Sequence, residues 1–139
     1  MKARVIVTTL IEKNGKILLG EKPKDVGPYP NTWHLPGGGV DLENESLEDA
    51  VRREIKEETG LDVENMTRMS FDEDYEPDKH GEMTHYLFLV YKVTPTSMNA
   101  KAADDIVRLK WFTKSELKKL ALTRPSVKFF QEIRLILYR

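Results

Sequence analysis

Between Ser46 and Thr59 the chain reads SLEDAVRREIKEET, with three glutamates, Glu54, Glu57 and Glu58, inside its last turn and a half. Ser46 is placed to cap a helix, with Asp49 three residues on in a variant of the capping box. Glu48 and Asp49 fall in the first turn, where the helix dipole favours negative charge, and Gly60 is placed to close the C-terminus. With Leu47 at zero, an advance of about 100° per residue puts Val51 near 40°, Ile55 near 80° and Ala50 near −60°. The same rule puts Glu54 near −20° and Glu58 near +20°, inside the apolar stripe, and Glu57 near −80°, on its flank. Arg52, Lys56, Glu48 and Asp49 take the opposite, solvated side.

A Glu-rich helix is ordinarily a solvent face laced with i,i+4 pairs, and Arg53–Glu57 reads well that way. Glu54 and Glu58 do not. A carboxylate turned toward a core is costly unless it is paired or coordinated. A hard divalent cation with oxygen ligands would resolve the cost and the mutual repulsion of the acids; a buried arginine partner is the alternative. Shortly before the helix, Gly37-Gly38-Gly39 can bring backbone carbonyls or amides close to a metal or phosphate. Alone, that run would be only a tight turn.

These residues must be carried by a scaffold. Arg4–Ile11 and Ile17–Gly20 read as strands joined by an Asn14-Gly15 hairpin turn. Pro23–Asn31, with three prolines, is a loop, Trp33–Leu35 a short strand, and Pro36–Gly39 a loop rather than regular structure. Thr67–Tyr75 and Met83–Val93 read as strands around a polar turn, Glu76–Gly81. A loop, Thr94–Asp104, leads to a strand at Arg108–Phe112. A short helix, Ser115–Leu120, and a longer one, Ser126–Leu137, complete the chain; Phe129, Phe130, Ile133, Ile136 and Leu137 give the latter an apolar stripe. Hairpins mixed with helices predict an α/β fold, a mixed sheet covered by helices.

The 139 residues suit a single domain spanning 1–139, with 40% hydrophobic and 32% charged residues. A formal net charge of −1 marks no overall field for a nucleic-acid polymer or a membrane surface. That average hides a division. Asp72–Glu82 holds six acids and one base, whereas Lys101–Arg139 holds ten bases and four acids. Both stretches read as solvated surface. Lys114, Lys118, Lys119, Lys128 and Arg134 lack the interleaved exposed aromatics of a single-strand binder. The absence of cysteine removes disulfides, thiolate metal sites and cysteine nucleophiles and suits a cytoplasmic location. Neither a signal peptide nor a membrane-spanning run is apparent.

Gly39, five residues, Glu45, seven residues, then Arg53-Glu54-Ile55-Lys56-Glu57-Glu58-Thr59-Gly60-Leu61 resembles the signature of the Nudix hydrolases at every fixed position over 23 residues. The resemblance implies an α/β/α sandwich around a mixed sheet and Mg²⁺-dependent cleavage of a phosphoanhydride bond, with Mn²⁺ as a possible substitute. It implies metal binding by Glu57 and Glu58 with the Gly38 carbonyl, Glu54 as a ligand or water-activating base, and Arg53 and Glu45 as orienting residues. An acid beyond the signature is common in the family; Asp104 and Asp105 are candidates, Asp105 being the one chosen, and an ordinary acidic loop is the other reading.

The segment VGPYPNTW (residues 26–33), the run His34–Val40 and Phe71-Asp72-Glu73-Asp74 resemble Nudix enzymes acting on pyrimidine deoxynucleoside triphosphates. His34-Leu35-Pro36 is shared more widely among MutT-type triphosphatases, so purine triphosphates, oxidised ones included, stay open. Pro77, 16 positions after Leu61, is associated with ADP-ribose pyrophosphatases, or else is a plain turn proline. A non-catalytic nucleotide-binding module is disfavoured because every carboxylate of the signature is kept. Lys22 is a candidate phosphate contact, and Tyr29, Trp33 and Tyr75 are candidates for base stacking, each equally readable as surface or packing. His34, His80 and His85 show no metal-ligand spacing and read as satisfied or exposed histidines. The expected partner is a small nucleotide, and the expected assembly a monomer or homodimer.

Overall fold

The first strand contains two residue patterns on opposite faces. In β1 (Lys2–Lys13), Val7 and Ile11 point to one side of the sheet and Leu10 to the other. Lys2, Arg4, Ile6 and Thr8 share the second side near the N-terminus, as the two-residue period of a strand requires. The computed structural model describes residues 1–23, 32–103 and 106–136. After β1 come β2 (Lys16–Glu21), β3 (Trp33–His34), β4 (Gly37–Gly39), α1 (Leu47–Thr59), β5 (Val63–Pro77), β6 (Met83–Pro95) and β7 (Arg108–Thr113). A short 3-10 helix (Lys114–Lys119) and α2 (Arg124–Glu132) follow.

The strands form one mixed seven-stranded sheet. The path runs β3-β2-β1-β6-β5, with β4 also on β1 and β7 also on β2. β1 and β6 are parallel, Lys2–Ile11 against Thr84–Val93, and every other pair is antiparallel. Helix α1 covers one face through Ala50, Val51 and Ile55 against Val7, Ile11, Leu18 and Tyr91. Helix α2 covers the other through Phe129 and Phe130 against Leu10, Ile17, Leu19 and Trp33. This is the expected α/β sandwich.

Four expectations need correction. Pro36–Gly39 is not all loop: Gly37, Gly38 and Gly39 pair with Thr8, Val7 and Ile6. The strand after α1 begins earlier than expected, at Val63, because two register shifts and a positive φ of 54° at Asn65 let it bend without ending. The segment after β7 is 3-10, not α. The last helix begins at Arg124, with Thr123 as its cap and Pro125 in the first turn, where its missing N–H costs nothing. It stops at Glu132, and Arg134 follows with φ 62°; Ile136 lies beyond the helix yet stays buried, and Leu137 lies outside the described residues.

The opposite charge blocks are also more than solvated surface. Lys128 pairs with Asp72 at 2.9 Å, and Arg124 pairs with Asp74 at 3.0 Å and with Glu76. Ser70 Oγ donates to Glu132 at 2.5 Å. The acids of β5 and the bases of α2 therefore meet across one face of the sheet.

Candidate active site

Helix α1 is pinned at both ends. The Asp49 amide donates to Ser46 Oγ at 3.1 Å, and Gly60 ends the helix at φ 73°. Tyr91 of β6 donates its hydroxyl to Glu48 at 2.5 Å, tying the first turn to the sheet. With Ala50, Val51 and Ile55 buried beneath it, the helix cannot rotate without exposing its apolar stripe. That orientation turns Glu54 and Glu58 toward β4.

Glu58 is only 6% exposed, and its Oε1 accepts the Gly37 amide at 2.8 Å. The Glu54 carboxylate lies flat against Gly38, in the space a Cβ there would occupy. Glycine is therefore needed at this point for close approach, as expected from the run, although the run is a strand. Glu57 is more open, its side chain 44% exposed.

Arg53 organises the acids. Its Nε and Nη2 donate to the two oxygens of Glu45 at 2.9 and 2.6 Å, a bidentate fork. Nη1 reaches Glu54 at 2.8 Å and Glu57 at 3.3 Å, and Nη2 also donates to the Gly39 carbonyl at 3.0 Å. One guanidinium thus ties the segment before α1, the glycine strand and two helical acids together. The Arg53 fork and the Asp41 amide hold the Glu45 carboxyl down to about 2, while the acids raise Arg53 above its ordinary value. The arginine alternative considered for the inward acids is partly realised: Arg53 bonds Glu54, while Glu58 bonds a backbone amide.

Among the described residues, no three acidic or imidazole side chains close into a cage. What is present is an open set of hard oxygen donors, Glu54 and Glu58 beside the Gly37–Gly39 backbone and Glu57 on the far side of the Arg53 guanidinium. That chemistry fits Mg²⁺, which keeps several of its waters and takes few protein carboxylates. Asp104, Asp105 and Tyr29 lie outside the described residues. Ala103, just before the two aspartates, donates its amide to the Glu58 carbonyl at 3.2 Å.

Glu54, Glu58 and the glycine strand border a cleft of about 540 Å³ between the sheet and α2. Its floor is the parallel register of β1 on β6: Arg4 beside Tyr86, Ile6 beside Phe88, Thr8 beside Val90. Leu35, Pro125 and Phe129 wall one end, and Lys22 also lines it. His34 departs from the satisfied or exposed reading. Its Nδ1 bonds the Leu35 carbonyl at 2.8 Å, but its Nε2 is buried with no hydrogen-bond partner among the described residues. Burial, with the Lys22 charge nearby, pushes the imidazole down to about 3.

Two stacking candidates lie elsewhere. Trp33 is core, edge-on to Phe112 at 5.0 Å with Arg108 over its ring. Tyr75 stacks on His85 at 4.3 Å, and neither lines the cleft. The strand period turns Tyr75 and His85 away, since Ser70 and Asp72 take the cleft side of β5 and Tyr86 and Phe88 that of β6. The aromatic lining is instead Tyr86, Phe88 and Phe129. The alternation TxYxFxV in β6 was a usable signal for one shared face, but nothing in it says which face the cleft occupies.

Comparison with known proteins agrees with this construction. The family model "NUDIX domain" matches residues 1–133. "Nucleoside triphosphatase NudI" of Klebsiella pneumoniae (strain 342) is 32% identical over 124 residues, covering 85% of this chain and 87% of the relative. The protein of the same name from Enterobacter sp. (strain 638) is 29% identical over 132 residues, covering 91% and 93%. The crystal structure of a MutT NUDIX hydrolase from Burkholderia pseudomallei superposes with a TM-score of 0.81 at 29% identity, covering 96% of this chain and 99% of that one. The match runs through strand, glycine run, helix and sheet alike, and the chain belongs to the NUDIX domain family.

Proposed function

We propose that this chain hydrolyses a nucleoside triphosphate to a nucleoside monophosphate and pyrophosphate in a divalent-cation-dependent reaction. The observation that carries this reading is the inward placement of Glu54 and Glu58 against the glycine strand at the edge of an aromatic-lined cleft. The names of the NudI relatives, nucleoside triphosphatases, support the substrate class. The resemblance in VGPYPNTW and Phe71–Asp74 favours pyrimidine deoxynucleotides within it.

Glu54, Glu57, Glu58 and the Gly38 carbonyl would hold Mg²⁺, or Mn²⁺ in its place, with Asp105 as a further acid. When bound, the cation neutralises phosphate charge and makes water a better nucleophile. The protein's own groups do the rest. Glu58 or Glu54 accepts the proton of the attacking water. The water oxygen bonds to phosphorus as the phosphoanhydride P–O bond breaks, and pyrophosphate leaves with the electron pair. Arg53 and Glu45 hold the acids in place. Lys22 contacts phosphate, and the base packs against Phe88 and Phe129; Tyr29 remains a stacking candidate. A nucleotide substrate and a cysteine-free chain fit a cytoplasmic site of action.

The test is Mg²⁺-dependent turnover on ribo- and deoxyribonucleoside triphosphates, an oxidised purine triphosphate and ADP-ribose, with Glu58→Gln beside the wild type. Turnover of one triphosphate, abolished in Glu58→Gln with the fold intact, is the expected result. Near-normal activity of Glu58→Gln would sink the assigned ligand set. A preference for ADP-ribose would overturn the substrate assignment; Pro77 itself closes β5 opposite Met83, beside the hairpin turn.

A further inference from the structure

We propose that the part of the sheet left bare by α1 is the docking face for a second copy of this chain, packed about a two-fold axis. Helix α1 covers its side of the sheet as far as Val7 and Leu89. The next rows, Val5–Leu87–Glu73 and Ala3–His85–Tyr75, follow in register, with Met83 beside Pro77 at the end. The two-residue period of the strands puts all of them on the side away from the cleft. Phe71, opposite Leu89, is 82% exposed, and Met69, Tyr75, Met83 and Leu87 are further exposed apolar side chains around it. A sheet buries an apolar face against a second layer, and no described element supplies one here.

The size of the patch fits an interface between proteins. Its five large apolar side chains expose on the order of 500 Å², the upper end for one patch on a monomer. Arg68 and Glu73, both exposed, extend it to roughly the 800 Å² that each partner gives to a stable complex. Charge narrows the choice of partner. Beyond α1 the strands bring one cation to this face, Arg68, and one acid, Glu73, which His85 bonds at 2.7 Å. An anionic lipid surface or a nucleic acid would require clustered bases.

The two charges are arranged so that the face complements itself. Arg68 stands opposite Tyr91, Phe71 opposite Leu89 and Glu73 opposite Leu87. Arg68 and Glu73 therefore each lie two rows from Phe71, on opposite sides of it. The register shift between Arg68 and Ser70 makes the two spacings equal and keeps Arg68 on the side of Glu48, away from the cleft. A two-fold axis through Phe71 sets Phe71 on its copy and Arg68 of each chain against Glu73 of the other, as an isologous interface requires. Within its own chain Arg68 is held only by Glu48, at 3.4 Å. The cleft opens on the opposite face of the sheet and stays accessible.

The experiment is sedimentation equilibrium of the full chain at up to about 100 μM, above the micromolar affinity of the weakest interfaces of this size. The wild type is expected to be a dimer. Phe71→Glu, at a side chain that the monomer leaves exposed, should raise the dissociation constant at least about 30-fold, as loss of a central anchor does. Arg68→Glu should weaken the dimer by setting acid against acid. Arg68→Glu combined with Glu73→Arg should regain most of the wild-type affinity, because the exchange restores both pairs. Circular dichroism checks the fold of each variant, and if Phe71→Glu does not fold, the charge exchange decides alone. A wild type that stays monomeric overturns the proposal, and binding of that monomer to phosphatidylcholine vesicles would give the face to a membrane instead. A dimer that keeps its affinity in Phe71→Glu, or that the charge exchange does not restore, also overturns it.

Discussion

Arg53 grips Glu45 through two parallel hydrogen bonds, at 2.9 and 2.6 Å, while its third nitrogen reaches Glu54 at 2.8 Å. Glu45 lies before α1 and Glu54 within it, so the fork couples the approach to the helix to an acid of the candidate metal site. Glu45→Gln keeps the shape but loses one charge of that pair, leaving Arg53 freer to compete for Glu54 and Glu57. The variant should fold and lose about 10- to 100-fold in activity or metal affinity, as removal of an outer-shell partner does. A Mg²⁺ titration of turnover measures it; an unchanged titration curve would mean that the fork is not coupled to the acids.

Gly37 and Gly38 should respond differently to alanine although they are neighbours. A Cβ on Gly37 would strike the Val7 carbonyl oxygen, which is backbone in the adjacent strand. A Cβ on Gly38 would strike the Glu54 carboxylate, the end of a flexible side chain. Gly37→Ala should therefore lower the melting temperature markedly. Gly38→Ala should melt near the wild type yet lose most turnover, because Glu54 must move. Melting curves and assays on both variants separate the two effects, and equal melting temperatures would contradict the register given for β4.

His34 makes stability depend on pH in a defined window. In the unfolded chain it takes up a proton as the pH falls below its ordinary value of 6.5, whereas in the fold it stays neutral down to about 3. The unfolded state therefore binds more protons between these values. The His34 contribution is complete above 6.5 and is lost as the pH falls toward 3. His34→Gln should flatten the stability-against-pH curve in that range, by up to about 1.4 kcal/mol per pH unit for one proton. Parallel curves for the two proteins in urea unfolding would show that the imidazole is charged in the fold.

Trp33 tests the division between core and cleft. It is 9% exposed and packs on Phe112. Trp33→Ala should cost about 3–5 kcal/mol of stability and leave KM unchanged in whatever fraction stays folded. A raised KM at wild-type stability would return Trp33 to the base-binding surface.

The chain by itself determined α1 and the inward turn of its acids. Capping by Ser46, closure at Gly60 and the inward angle of Glu54 and Glu58 all follow from a 3.6-residue period, and the structure has them so. The Asn14-Gly15 turn is equally local, with φ values of 53° and 74°. Tertiary structure decided what depends on distant partners. The Gly37–Gly39 run becomes a strand because β1 offers it a free edge. Arg4, Tyr86, Ile6 and Phe88 become one floor only through the parallel register of β1 on β6. Trp33 is core, and the acids of β5 meet the bases of α2, for the same reason. Periodicity says which residues share a face. Which face meets which is set by contacts between segments far apart in the chain, and no local pattern encodes that pairing.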